Sequence, residues 1–133
     1  MILKPITRDD VLKGQDCPKN MEADLEKLLK RINKLQDLYG KQFVVTSGFR
    51  SLAHHIQIYN KKGITDPKKI PLKSRHLYCQ AVDIEDKDGR LYKWSKQNDK
   101  YLEDIGLWCE EGTKGWMHYQ IEKPASGKRW FLP

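Results

Sequence analysis

The stretch from Met21 to Tyr39 constrains the fold most. Met21, Leu25, Leu28, Leu29, Ile32, Leu35 and Tyr39 recur at helical spacing, which predicts an amphipathic helix over residues 21–39. Asn20 is placed to cap its start, Glu22 and Asp24 sit in the first turn, and Gly40 follows its end. The period then changes. Phe43 to Ser47 is a short β-branched run expected as a buried strand, Gly48 breaks it, and residues 51–60 read as a second helix. Residues 63–72, with Pro67 and Pro71, are expected as a loop. Ala81 to Glu85 alternates as a strand, with Ala81, Asp83 and Glu85 on one face and Val82 and Ile84 on the other. Asp88-Gly89 marks a turn. Leu91 to Ile105 returns to helical spacing closed by Gly106, and Trp116 to Glu122 is the last clear strand. Helices and strands mix without a βαβ rhythm, so the expected class is α+β, in one domain over residues 1–133.

Two polar interruptions of the strands carry the chemistry. Asp83 sits among the apolar residues of its strand, and a carboxylate is costly to bury there without a partner or a metal. His118 lies between Trp116 and Gln120 on one face of the last strand, opposite Met117, Tyr119 and Ile121. His76 stands seven residues before Asp83, where a loop enters that strand, placed to turn back over it. Two imidazoles and one carboxylate are the ligand set of a catalytic zinc site with a fourth position open. Each piece alone is weak, since a lone strand histidine is more often a satisfied surface or core residue.

The formal net charge of +7 suggests an anionic partner. Much of the excess lies in Lys61, Lys62, Lys68, Lys69, Lys73 and Arg75, with no aromatic residue interleaved, so a nucleic-acid platform is disfavoured. A solvated loop is the plain alternative. Cys17, Cys79 and Cys109 are odd in number and widely spaced, which argues against a disulfide framework and for reduced, mostly buried thiols. No run is long enough to span a membrane, and the first residues lack the order of a signal peptide. The expectation is a cytoplasmically made protein that acts elsewhere after lysis or packaging.

The motifs Ser47-Gly48-Phe49-Arg50-Ser51, Ser74-x-His76 with Ala81-x-Asp83, and Trp116-x-His118 together resemble the M15-type zinc peptidases. These include D-Ala-D-Ala carboxypeptidases and the L-alanyl-D-glutamate endopeptidases of phage endolysins. The resemblance runs from about residue 43 to the end, in consistent order. It implies a D-Ala-D-Ala carboxypeptidase/hedgehog-like fold, mainly an antiparallel sheet flanked by helices, in a monomer. It also implies Zn2+ on His76, Asp83 and His118, with Arg50 binding a substrate carboxylate or the charge developing on the attacked carbonyl. Ser47 lies near Arg50, and Gln57 is a weaker candidate to line the cleft. The alternative for Arg50 is a salt bridge bracing the strand end. The implied substrate is the stem peptide of peptidoglycan, cut by a phage endolysin or a virion-associated wall hydrolase.

The sequence departs from the family pattern at two positions. The family usually has glycine where Cys79 stands; cysteine is tolerated there at negative φ, and a buried structural thiol is favoured over one approaching the metal. Many members carry an acid three residues before the last ligand histidine, as general base, and here that position is Gly115. Glu110 and Glu111 lie just upstream, and Glu111 is taken as the candidate base, although both also read as solvated acids. His54 and His55 are further candidates to carry protons, though a paired exposed histidine is commonly nothing more. Gly115 keeps a second reading open: a zinc-retaining, non-catalytic module that binds wall or another phage protein.

Overall fold

The computed structural model describes residues 2–72 and 74–132. Thr7 and Asp10 cap reciprocally, each side chain accepting the other's backbone N–H at 3.2 and 2.8 Å, and so start a short helix, α1 (Arg8–Leu12). Pro18 then opens a 3₁₀ turn at Lys19–Met21 that leads into α2 (Glu22–Tyr39). Asn20 lies inside that turn and Met21 occupies the N-cap, which corrects the expected capping residue. No side chain caps α2; Arg8 instead grips Glu22 of its first turn through two bonds of 2.7 and 2.8 Å. Gly40 ends the helix at a φ of 78°, as its position predicts.

The chain then enters the sheet under the control of Gln36, a buried amide of α2. Its Oε1 accepts the Phe43 N–H at 2.8 Å and its Nε2 donates to the Lys4 carbonyl at 2.9 Å. Because Phe43 bonds to a helix side chain, the first strand is shorter than the apolar run: β1 is Val45–Ser47. Ser51 caps α3 (Leu52–Lys61), and β2 (Ala81–Asp86) follows the loop and a 3₁₀ turn at Arg75–Tyr78. The helical spacing from Leu91 to Ile105 conceals a break. It forms α4 (Arg90–Gln97) and α5 (Asp99–Ile105), parted at Asn98, whose amide donates to the Trp94 carbonyl at 2.8 Å. The remaining strands are β3 (Trp108–Glu110), β4 (Gly115–Gln120) and β5 (Trp130–Phe131).

The sheet runs β1-β2-β4-β3-β5, antiparallel except where β3 meets β5. This is the expected α+β class. One face of the sheet is the core: Val82 and Ile84 of β2 and Met117 and Tyr119 of β4 join Leu25, Leu28, Ile32 and Leu35 of α2 in one buried cluster. Tyr119 satisfies its hydroxyl on Ser95 of α4, 2.7 Å away. The strand period of two therefore turns Asp83 and His118 to the opposite face. Carboxylate oxygens of Asp86, at the end of β2, accept the N–H groups of Leu91 and Tyr92 at 2.9 and 3.0 Å and so start α4.

Cys79 closes the 3₁₀ turn with a φ of 57°, not the negative value expected for a cysteine there. Its thiol is fully buried in the core cluster, and burial pushes it up to about 12, so it stays protonated and inert. A non-glycine residue in the left-handed region costs about 1 kcal/mol. Replacing Cys79 by Ala or by Gly removes the thiol in both cases, but only Gly relieves the backbone. Cys79→Gly is therefore expected to exceed Cys79→Ala in unfolding free energy by about 1 kcal/mol, read from paired denaturant titrations. Equal stabilities would show that the turn carries no such cost.

Candidate metal centre

Strand register assembles the centre. Ser47 of β1 pairs with Asp83 of β2, and Asp83 pairs with His118 of β4, so the three stand in one row across the solvent-side face of the sheet. The 3₁₀ turn Arg75–Tyr78 then folds His76 back over Asp83, as its place in the sequence suggested. One Asp83 carboxylate oxygen lies 3.0 Å from His118 Nδ1 and 3.3 Å from His76 Nε2. Donor atoms of His76, Asp83 and His118 all fall within 4.8 Å of one another. The imidazoles are nearly buried, at 5% and 8% exposure, so these donors are not ordinary surface groups.

The outward nitrogens show what belongs between them. His76 Nδ1 lies 2.8 Å from the Gly48 carbonyl, which can only accept, so Nδ1 carries the proton. His118 Nε2 lies 2.8 Å from Gln120 Oε1, and the Gln120 amide nitrogen donates to the Glu122 carbonyl at 2.8 Å. That arrangement fixes the amide, so His118 Nε2 is also a donor. In the neutral rings both inward nitrogens then present lone pairs to an anionic oxygen. Something positive must sit among them: a proton, or a divalent cation. Burial alone would raise the Asp83 carboxyl, but the hydrogen bonds and charge of His118 and His76 outweigh it and hold it well below the ordinary range. Burial likewise acts to lower His118, and Asp83 overrides it, leaving the imidazole raised. Two tautomer-fixed imidazoles and one ionised carboxylate fit a zinc ion with an open fourth position.

Gly48, which breaks the first strand and belongs to the Ser47–Ser51 motif, is part of this geometry. A Cβ there would meet the Val11 carbonyl oxygen at 2.3 Å and the Val11 Cα at 2.7 Å, both backbone atoms. The contact is locked by the Phe49 N–H on that same Val11 carbonyl at 2.8 Å. Only glycine lets the loop lie against α1 while its own carbonyl orients His76.

Arg50 sits beside the triad. Its N–H donates to the His76 carbonyl at 3.0 Å, and its guanidinium lies 3.2 Å from His55 Nδ1 and 3.5 Å from Ser47 Oγ. His55 is fully buried, unlike the exposed pair anticipated; only His54 is exposed. His55 Nε2 donates to the Pro71 carbonyl at 2.6 Å, so Nδ1 is left to accept from Arg50. Burial lowers the His55 pKa, which keeps it neutral and suited to that role. His55 is thus a positioning residue for the guanidinium. No carboxylate among the described residues pairs with Arg50, which removes the bracing salt bridge considered above.

Two expected residues lie elsewhere. Glu111 turns to the helical side of the sheet, where its carboxylate pairs with Lys96 and accepts the Tyr92 hydroxyl at 3.2 Å, both from α4. It does not converge on the triad. Gln57 lies on the exposed side of α3, two residues (about 200° of helix) from the inward-facing His55.

The comparisons with known proteins bear on the family and the fold. The sequence model of the family described as Peptidase M15 matches residues 5–120, and the chain belongs to that family. The crystal structure of Serratia marcescens L-Ala D-Glu endopeptidase ChiX superposes with a TM-score of 0.51, covering 96% of this chain and 95% of that one. Identity is 18%, so this likeness speaks for the fold. No curated protein sequence matches the chain.

The ligand assignment predicts that His76→Ala and Asp83→Ala each lose most bound zinc while α2 stays folded. Metal content by mass spectrometry, beside far-UV circular dichroism, is the check. Full zinc occupancy in either variant would contradict the assignment.

Proposed function

We propose that this M15 peptidase is a zinc enzyme that hydrolyses an amide bond in the stem peptides of peptidoglycan, as a phage endolysin or virion-associated wall hydrolase. The observation that carries the reading is the convergence of His76 Nε2, His118 Nδ1 and Asp83 on one point, with the outward imidazole nitrogens already engaged. Support for the substrate comes from the resemblance of the motifs, from the L-Ala D-Glu endopeptidase that shares the fold, and from a net charge of +7 suited to an anionic wall. No helix among the described residues is long and apolar enough to cross a membrane, which fits an enzyme that meets its substrate from solution.

His76, Asp83 and His118 would hold the zinc; Lewis acidity, which acidifies water and polarises the scissile carbonyl, is what it supplies when bound. The chain's own residues do the rest. Gly48 and Gln120 keep both imidazoles in the tautomer that faces inward. Arg50, held by His55 and Ser47, offers fixed N–H donors to a substrate carboxylate or to the oxyanion forming at the attacked carbon. A guanidinium never deprotonates at working pH, so this donor set is constant.

Arg50→Ala is expected to lower kcat/KM by about 100- to 1000-fold with zinc content unchanged. A variant with parental turnover would remove Arg50 from the mechanism.

Gly115 favours the competing reading, a binding module that has kept its metal. Digestion of purified peptidoglycan by zinc-loaded protein, with and without chelator, separates the two. Chelator-sensitive peptide fragments, read by mass spectrometry, are expected, and their new termini identify the bond. Zinc-loaded protein that sediments with the wall and releases nothing would establish the binding module.

A further inference from the structure

A hydrolysis at this centre needs a group to move protons, and neither Gly115 nor Glu111 is placed to do so. The sheet supplies another. β3 and β4 pair Trp108 with Gln120 and Cys109 with Tyr119, so the next step of the same antiparallel register sets Glu110 opposite His118. Cross-strand neighbours share a face, and Glu110 thus extends the row Ser47–Asp83–His118 by one strand. On its other side β5 sets Phe131 beside Glu110, and the Phe131 ring stands edge-on to His118 with centroids 6.0 Å apart. Glu110 is half-buried, and among the described residues no ion pair holds its carboxylate.

Two duller roles do not fit. Glu110 is not among the side chains whose donors converge as a ligand set. Nor is it needed to orient His118, whose outward nitrogen belongs to Gln120 and whose inward one faces Asp83. Glu110 is thus an acid one strand away from His118, outside the converging donors and, among the described residues, without an ion-pair partner.

We propose that Glu110 is the proton carrier of this enzyme, replacing from the neighbouring strand the acid that Gly115 cannot supply; the proposal rests on the hydrolase reading above. As the water oxygen bonds to the scissile carbonyl carbon, one water proton passes to the Glu110 carboxylate. Glu110 returns that proton to the leaving nitrogen as the C–N bond breaks. The new carboxyl group gives up the second water proton to the freed amine, leaving a carboxylate and an ammonium. Nothing is oxidised or reduced.

Zinc-loaded parent, Glu110→Gln and Glu110→Asp proteins should be compared on purified peptidoglycan for peptide release, zinc content and co-sedimentation with the wall. Glu110→Gln is expected to lose about 100- to 10,000-fold in turnover, while zinc content and sedimentation stay at parental values. Glu110→Asp, which keeps the carboxylate, should recover part of the loss. Turnover near the parent in Glu110→Gln overturns the assignment. So does loss of zinc alongside turnover, which would make Glu110 a support of the metal. If the parent itself releases nothing, the hydrolase reading fails and this role goes with it; an active parent beside an active Glu110→Gln sinks the assignment alone.

Discussion

The structure depends on one carboxylate placed where a carboxylate is expensive. Asp83 lies in the middle of β2, between Val82 and Ile84, which are almost wholly buried. An unpaired charge at that depth would cost several kcal/mol, so the sequence must bring compensating groups to it from elsewhere. It does so from two directions: His118 arrives across the sheet by register, and His76 arrives over the top on a 3₁₀ turn. The pairing is unusually exposed to context. The outward nitrogens are already donors, so the inward lone pairs and the carboxylate repel one another unless a proton or a cation joins them. The fold thus gathers lone pairs and one negative charge that a single positive charge can join, which is what a metal site offers.

The cost of that arrangement is distributed through a chain of backbone contacts that reaches the N-terminus. Val11 accepts the Phe49 N–H, Gly48 lies against Val11, and the Gly48 carbonyl fixes His76. Arg50, two residues on, returns a backbone bond to His76. α1 therefore contributes to the geometry of His76 without placing a side chain beside it. The same economy holds at the far end: Gln120, two residues after His118, orients the ring while its own amide is held by Glu122. Both imidazoles are thus oriented by residues held in turn by other elements.

Much of this was legible in the residues, and what was not has identifiable reasons. The stripe of α2 and the alternation of β2 and β4 are strong periodic signals, and they placed Asp83 and His118 on one face correctly. The break at Asn98 was hidden because apolar residues on both sides keep helical spacing: Leu91 and Leu102 reach the same core from two helices. β3 and β5 are too short to show a period, and their existence is set by pairing with β4 and with each other. His55 was misjudged because adjacent histidines look alike in sequence, whereas a 100° step on α3 buries one and exposes the other. Cys79 is the clearest local conflict, since nothing in the residue announces a left-handed backbone.

Those missed short strands bear on the one feature that most resisted assignment. Gly115 opens β4 at a φ of 89°, and the period of two groups it with Met117 and Tyr119 on the core side, away from His118. In this chain an acid at that position would be strained and would point from the wrong face of the strand. The strands beside β4 also present residues on the site face. One such neighbour, β2, presents Asp83; the other is β3, whose residues on that face are Trp108 and Glu110. The order β2-β4-β3 thus sets Asp83 on one flank of His118 and, on the other, an acid that has no ion pair among the described residues.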